Sequence, residues 1–531
     1  MLFLQHSVKT IEPAKTWDVD EAIREEEMIW RSIGAAAAVA ACILTGAGSA
    51  GSEELVRIAS PYKTTTLDPS RSAAAGNIET FGQLYARLLR RDQNGELAPG
   101  LAESWEISDD GKTVTLTLRD AKFSDGSPIT AEDVVFSLLR VRDHPESAYP
   151  APLQQLAEAK AKDEKTVVLT LEHPFAPFLG NLEVFNAGIV SKTDVEARGE
   201  EEAFASDPVT SGPYQVREWR PNDRLVLEAS PNYWREGYPK NDGAELIEVG
   251  SENTRVAMML SGEVDAAREI PWSQVSDLQT REGLEMPLEP STVIYMTLLN
   301  EGRAPFDDVR VRQAAAHAID VKAVAKAMTF GHAEPANTTL PGALDFHHSE
   351  YPGIAYDPAK AKALLEESDY DGEDIVILIS DIADIDKLAV LLQAQWAAVG
   401  LKAKIEKVDR GVWWERIPNG DYDAAPSWWY NETMDPDLAA RWALCGTCGN
   451  RSFYTNYDDP KVNELIEAAA AEFDPEKRTA LYHEIQEITT TEVSQIPLYY
   501  PPFTNAYSAR VEGLQMTPAL QWTLEETEVV E

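Results

Sequence analysis

Residues 99–139 read PGLAESWEISDDGKTVTLTLRDAKFSDGSPITAEDVVFSLL. Residues 105–107 form a short strand, and Asp109-Asp110-Gly111 turns the chain, with glycine where the turn needs a positive φ. Residues 112–119 then alternate. Val114, Leu116 and Leu118 fall on one face and Thr113, Thr115 and Thr117 on the other, which is the pattern of a half-buried strand. Asp125-Gly126 turns the chain again. Thr130 caps a helix with Asp133 three residues on in a capping-box arrangement, and Val134, Val135, Leu138 and Leu139 supply the apolar face.

Working outward, residues 55–60 read as a first strand and residues 81–90 as a helix, with a further strand at 166–171. Residues 212–219 and 224–229 form a hairpin about Pro221-Asn222-Asp223. A helix at 254–260 ends at Ser261-Gly262. Residues 292–299 are a buried-type strand that leads into the turn 305–308 and the helix 309–319. Strand 375–379, helix 386–399 and strand 401–408 follow one another as a βαβ unit, so a parallel pair with a right-handed crossover is expected. A helix at 475–490 precedes a strand at 496–500.

The chain has 531 residues, too many for one ordinary domain, and 44% of them are hydrophobic, enough for several cores. Its formal charge is −42. Residues 1–50 hold seven acids against four Lys or Arg, so the acidity belongs to the rest of the chain. Such a surface argues against nucleic acid and against anionic membranes, both of which call for clustered cations. It suits solubility or a cationic ligand, and net charge does not choose between them.

Residues 28–50 have the three parts of a secretory signal. Met28-Ile29-Trp30-Arg31-Ser32 is a short basic region, residues 33–44 are apolar, and small residues follow, with cleavage expected near Ala50. The apolar run is too short to span a bilayer. A signal lies at a chain start, so Met28 is the expected first residue; the alternative keeps residues 1–27. Cys42 in Val39-Ala40-Ala41-Cys42 offers a second route, a lipid anchor at the mature N-terminus. Residues 46–51 match GxGxxG, but no βαβ unit surrounds them and cleavage would destroy the match.

Together with residues 99–139, Leu67-Asp68-Pro69, Ser211-Gly212-Pro213-Tyr214, Asn232-Tyr233-Trp234, Ser261-Gly262-Glu263-Val264-Asp265 and residues 305–313 occur in an order that resembles the family 5 solute-binding proteins of ABC importers, the dipeptide- and oligopeptide-binding group. The resemblance covers about residues 54–510. It implies an α/β, periplasmic-binding-protein-like two-lobe hinge fold of the class II type with an additional α/β domain. Domain I would comprise residues 51–75, 183–296 and 498–531, domain II residues 76–182 and domain III residues 297–497, after a signal-bearing stretch 1–50. The ligand would lie between domains I and III of a monomer that delivers it to the transmembrane subunits of a permease.

No HExxH, GxSxG or Walker A motif is present, and the eight His are scattered. The chain therefore reads as a receptor rather than an enzyme, with neither cofactor nor metal. His347-His348 beside Asp345 is the one local group that invites a metal reading, and adjacent loop histidines are more often solvated. Cys445-Gly446-Thr447-Cys448 behind a signal reads as a disulfide. Zinc would need two more ligands, and thiol-disulfide chemistry at Cys445/Cys448 is the rival function. The dipeptide-binding relatives have a wider disulfide nearby.

Trp428-Trp429-Tyr430-Asn431-Glu432-Thr433-Met434-Asp435-Pro436-Asp437 sets aromatic rings beside carboxylates, a pairing suited to an organic cation and equally to a core Trp pair followed by a helix cap. The resemblance implies more. Trp428, Trp429 and Tyr430 would pair through their backbone with an extended peptide, and Glu432 would hold the peptide α-ammonium, with Asp435 close by. A second pairing segment falls at Ala73, Ala74 and Ala75. The family also serves nickel and haem complexes, oligosaccharides and opines. Trp413 and Trp414 either line the site or pack.

Overall fold

The computed structural model describes residues 55–91, 95–198, 203–382 and 384–530. The secretory signal at 28–50, Cys42 and the choice of Met28 as start lie outside the described residues.

Three sheets with helices against them organise the chain. The signature stretch forms the four-stranded antiparallel sheet in the order Ala102–Ile107, Thr113–Leu118, Thr166–Leu171, Leu156–Ala161. Val114, Leu116 and Leu118 are buried, and Gly111 has φ +67 at the expected turn. The helix Ala131–Asp143 carries the full capping box between Thr130 and Asp133. Its Val134 and Leu138 pack into the same cluster as the sheet.

The seven-stranded sheet runs Leu284–Glu285, Ala506–Ser508, Ala266–Ala267, Leu55–Ser60, Gly243–Glu248, Arg224–Ala229, Tyr214–Arg220. Leu55–Ser60 lies parallel to both of its neighbours, and the expected hairpin closes at Arg220↔Arg224. The six-stranded sheet runs Glu334–Pro335, Gln495–Tyr500, Val293–Leu299, Ala424–Tyr430, Asp374–Ile379, Lys402–Lys407. Here the βαβ unit is as expected. Asp374–Ile379 pairs parallel with Lys402–Lys407 across the helix Ile385–Val399, which Gly400 ends at φ +104.

One element departs from expectation. The helix placed at 81–90 is Ala75–Leu84, and Leu89–Arg91 is a strand paired with Leu97–Pro99. Tertiary contacts override the local pattern. A Cβ on Gly76 would stand 2.4 Å from the Lys63 carbonyl oxygen, so only glycine lets the helix begin there. Past Leu84 the backbone turns extended at Tyr85, and the Ala86 N–H donates to Ser211 Oγ at 3.0 Å.

The motif segments are braces. Asp68, fully buried, accepts from Arg140 Nη1 at 2.8 Å and Nη2 at 2.5 Å, which ties Leu67-Asp68-Pro69 to the helix Ala131–Asp143. Asp265, 1% exposed, accepts from Arg57 Nε at 3.0 Å and Arg510 Nη1 at 2.7 Å and so links the first strand of the seven-stranded sheet to the C-terminal segment. Asp308 caps the helix Val309–His317 through the Arg310 N–H.

A buried ion pair broken from one side costs about 3–5 kcal/mol, because the other charge keeps its desolvation penalty. Asp68→Ala is therefore expected to lower the urea midpoint by that equivalent with an unchanged slope, read by circular dichroism. A loss below about 1 kcal/mol, the range of a surface pair, would show the brace to be idle.

Candidate ligand-binding site

The strand Ala424–Tyr430 is the element on which the site is built. It pairs along its whole length with Val293–Leu299, with Tyr295 opposite Trp428 and Val293 opposite Tyr430. On its other side it meets Asp374–Ile379 at one residue, Ile377↔Ala424. Beyond Ala424, no strand among the described residues pairs with that outer edge.

Alternation along the strand sorts the side chains. Trp429 is 6% exposed and packs with Trp413 and Ile294 in a buried cluster. Trp428 and Tyr430 are half-buried on the opposite face, with ring centroids 6.1 Å apart. Tyr295 continues the row, 6.5 Å from Trp428 and stacked on Tyr499 at 4.7 Å. Trp413 thus packs inside, while Trp414 is 43% exposed.

The loop after the strand is fixed from within. The Asn431 side chain donates to the carbonyls of Thr433 at 2.7 Å and Asp435 at 2.8 Å. Asp435, read from the sequence as a ligand-binding neighbour of Glu432, is committed to Arg478, whose Nη2 donates to Oδ1 at 2.9 Å and whose Nη1 donates to Oδ2, and Asp435 Oδ1 also accepts from the Asp437 N–H. Arg478 lies 5.0 Å from the Phe346 ring and 5.3 Å from that of Tyr482.

With the loop held, Glu432 points to Tyr149, whose hydroxyl donates to Oε2 at 2.9 Å. Tyr149 is itself stacked on Phe185 at 5.8 Å. Burial pushes the Glu432 carboxyl up to about 7, against the Tyr149 hydrogen bond and a backbone N–H that favour the charged form. Among the described residues, no Lys or Arg forms an ion pair with it. Nearby, the Tyr430 hydroxyl donates to the Ala73 carbonyl at 3.2 Å. Ala74 is extended, but Ala75 is the first residue of the helix Ala75–Leu84, so only residues 73 and 74 of the segment lie outside the helix.

Facing groups come from the C-terminal ends of parallel strands, where open α/β sheets meet their ligands. Tyr62 follows Leu55–Ser60, and Arg268 and Glu269 follow Ala266–Ala267. The Tyr62 hydroxyl donates to the half-buried Glu269 carboxylate. Arg268, 1% exposed, pairs with Glu79 and lies 4.5 Å from the Tyr62 ring. Burial raises the Tyr295 phenol, and the charge of Glu269 adds to it; burial raises Tyr430 likewise, with Glu432 adding. Tyr62, Tyr149, Tyr295, Arg268 and Glu269 escape sequence reasoning, since Tyr62 and Glu269 stand 207 residues apart and share no local pattern.

Cys445 and Cys448 are joined as a disulfide, and Cys445 is buried in the cluster that holds Trp429, behind the strand. His348 stacks on His483 at 3.8 Å, and its Nε2 lies 3.2 Å from Glu487 Oε1. Among the described residues, no group of three or more His, Cys, Asp or Glu is placed to hold a metal ion.

A carboxyl whose pKa rises on folding holds its proton more tightly in the folded than in the unfolded chain. Stability therefore falls as pH rises from the unfolded range, ~4.3, through about 7. In ligand-free protein, Glu432→Gln is expected to raise Tm over the parent at pH 8 and to leave it nearly unchanged at pH 5, by differential scanning calorimetry. A pH-independent difference would assign the titration elsewhere.

Residues 96–451 match the model of the bacterial extracellular solute-binding proteins, family 5. Glutathione-binding protein GsiB of Escherichia coli O1:K1 is 30% identical over 515 residues, which span 94% of this chain and 99% of that protein. The same protein of Salmonella typhimurium LT2 is 30% identical over 93% of this chain and 98% of its own. Among solved structures, a dipeptide-binding protein from Pseudoalteromonas sp. SM9913 in complex with Met-Leu has TM-score 0.77 and 25% identity over 89% of this chain and 99% of its own. The agropinic acid complex of AgaA from A. tumefaciens R10 shares the fold, with TM-score 0.79 and 24% identity over 90% of this chain and 99% of its own. The chain belongs to the family 5 extracellular solute-binding proteins, the substrate receptors of ABC importers.

Proposed function

We propose that the chain captures a short peptide, or a related amine-bearing solute, between two lobes outside the cytoplasm and delivers it to a membrane permease without making or breaking a covalent bond. The observation that carries this reading is that, among the described residues, no strand occupies the outer edge of residues 425–430 and no cation pairs with the half-buried carboxylate beside its end. An extended peptide completes that edge through its main chain, which gives affinity tolerant of side-chain identity. Its α-ammonium meets Glu432, displacing or sharing the Tyr149 hydroxyl. The ring faces of Trp428 and Tyr430 cover the apolar parts of the ligand.

Closure joins the two walls already described. In the three-part division of residues 51–75 with 183–296 and 498–531, residues 76–182, and residues 297–497, the lobes would hinge between the first and third parts; the three larger sheets support this, with Val293–Leu299 and Gln495–Tyr500 of the six-stranded sheet running across the boundaries between those two parts. The relatives named for glutathione, a γ-glutamyl tripeptide, support a peptide-like solute with a free amine. Export to the periplasm rests on residues 28–50; among the described residues no helix is long and apolar enough to cross a membrane.

Mass spectrometry of natively purified protein, before and after denaturation, identifies what it carries. Short peptides, or one amine-bearing compound, are expected. Glu432→Gln should weaken their binding about 10- to 100-fold in calorimetry, the equivalent of one charge-assisted hydrogen bond. Parent affinity should also fall as pH drops below about 7, where the carboxyl protonates, and the variant should not follow. Saturable binding of an amine-free sugar, indifferent to Glu432→Gln, would refute the reading.

A further inference from the structure

The antiparallel ladder between Val293–Leu299 and Ala424–Tyr430 ends at the pair Val293↔Tyr430. Glu432 lies two residues beyond that end, so strand pairing does not fix its direction. Thr292, the residue before Val293, is fully buried, and its hydroxyl donates to the Asn431 carbonyl at 2.7 Å. A side chain takes over where the backbone ladder stops.

The bond falls on the peptide unit that joins Asn431 to Glu432. That unit is planar, with the Asn431 carbonyl and the Glu432 Cα in one plane. Holding the carbonyl therefore sets the plane from which the Glu432 side chain departs. The Asn431 side chain restrains the same loop through the carbonyls of Thr433 and Asp435. Thr292 is anchored in turn, since its N–H donates to the Pro518 carbonyl at 3.2 Å. Its Oγ1 also lies 3.1 Å from that carbonyl, but a hydroxyl has one hydrogen to give, and the Asn431 oxygen is the nearer. In the division given above, Thr292 and Pro518 belong to the first part and Asn431 to the third. The hydroxyl thus reaches from one part to the other, one residue before Glu432.

We propose that Thr292 is a positioning residue for the capture of a peptide α-ammonium: through the Asn431 carbonyl, its hydroxyl holds the peptide plane that aims Glu432 at the ligand. This rests on the Glu432 reading. A carboxylate on a swinging loop has to lose orientational freedom when an ammonium arrives, whereas one whose backbone is already fixed does not, and the difference appears as affinity. Without the hydroxyl, the buried Asn431 carbonyl loses this donor and the plane is free to turn.

Titration calorimetry of the full chain with Ala-Ala-Ala tests the assignment. Thr292→Val, which keeps the shape and the N–H to Pro518, should weaken binding about tenfold, and Thr292→Ser, which restores the hydroxyl, should bind within about twofold of the parent. Thr292→Ala should repeat the loss, so the result does not hang on how valine packs. The double-mutant cycle separates positioning from mere stability: on the Glu432→Gln background, Thr292→Val should cost less than about twofold, because the group it aims is gone. Parent-like binding by Thr292→Val, a loss that Thr292→Ser does not recover, or the same tenfold loss on the Glu432→Gln background would overturn the assignment. Failure of both hydroxyl-free variants to fold would do so too, by making Thr292 a structural residue. If Glu432→Gln alone binds like the parent, the Glu432 anchor falls and this role with it; if Glu432→Gln weakens binding and Thr292→Val does not, only the role of Thr292 falls. No binding of Ala-Ala-Ala by the parent would overturn both.

Discussion

Backbone N–H and C=O groups need partners, and a strand inside a sheet whose second edge is, among the described residues, paired at one residue only leaves part of that need unmet. The strand Ala424–Tyr430 is in this position, and much of the surrounding structure serves to hold it there. Asp374–Ile379 touches it at Ala424 and then diverges, while Val293–Leu299 secures the other edge over seven residue pairs. Trp429 anchors the strand into a buried cluster, so the edge is open without being loose. Asn431 and the Asp435–Arg478 pair then stiffen the loop that presents Glu432. A binding group on a rigid element loses little freedom when the ligand arrives.

Two kinds of carboxylate follow from this. Asp68, Asp265 and Asp435 are each met by arginine, and their work is to tie distant segments together. Glu432 is met by the Tyr149 hydroxyl instead. A hydroxyl satisfies one lone pair without cancelling the charge, so Glu432 keeps an attraction for cations that the braced acids have spent.

Much of the fold was legible because the local signals agreed with one another. The capping box at Thr130, the alternating strand 113–118, the glycine that ends helix Ile385–Val399 and the βαβ order around it all appear where the pattern put them. The helix Ala75–Leu84 was not legible at its start. Ala-Gly-Asn reads as loop, and what makes it helical is the close approach of Gly76 to Lys63 and the bonds of the Asn77 side chain to Thr65 and Thr66. In the candidate site, the segment 428–432 announced itself by clustered rings and acids. Asp435 looked equivalent to Glu432 in sequence, and the difference between them is Arg478, a helix away. Tyr62 and Glu269 meet because two parallel strands end side by side, a fact of topology that no window along the chain contains.

That topology also bears on how the protein comes into being. Leu55–Ser60, almost wholly buried in the finished sheet, has its partners about 190 and 210 residues downstream, and the next strand over, Ala506–Ser508, is among the last segments made. At ribosomal rates of about 5–20 residues per second, the first strand is made roughly ten to forty seconds before anything it can pair with. For that interval it is a bare apolar ribbon. Local collapse cannot end the wait, because the missing surface has not yet been synthesised. The four-stranded sheet, whose strands all lie between residues 102 and 171, is under no such delay. The middle of the chain can therefore finish its sheet from its own residues, while the beginning stays unprotected until strands far downstream reach it.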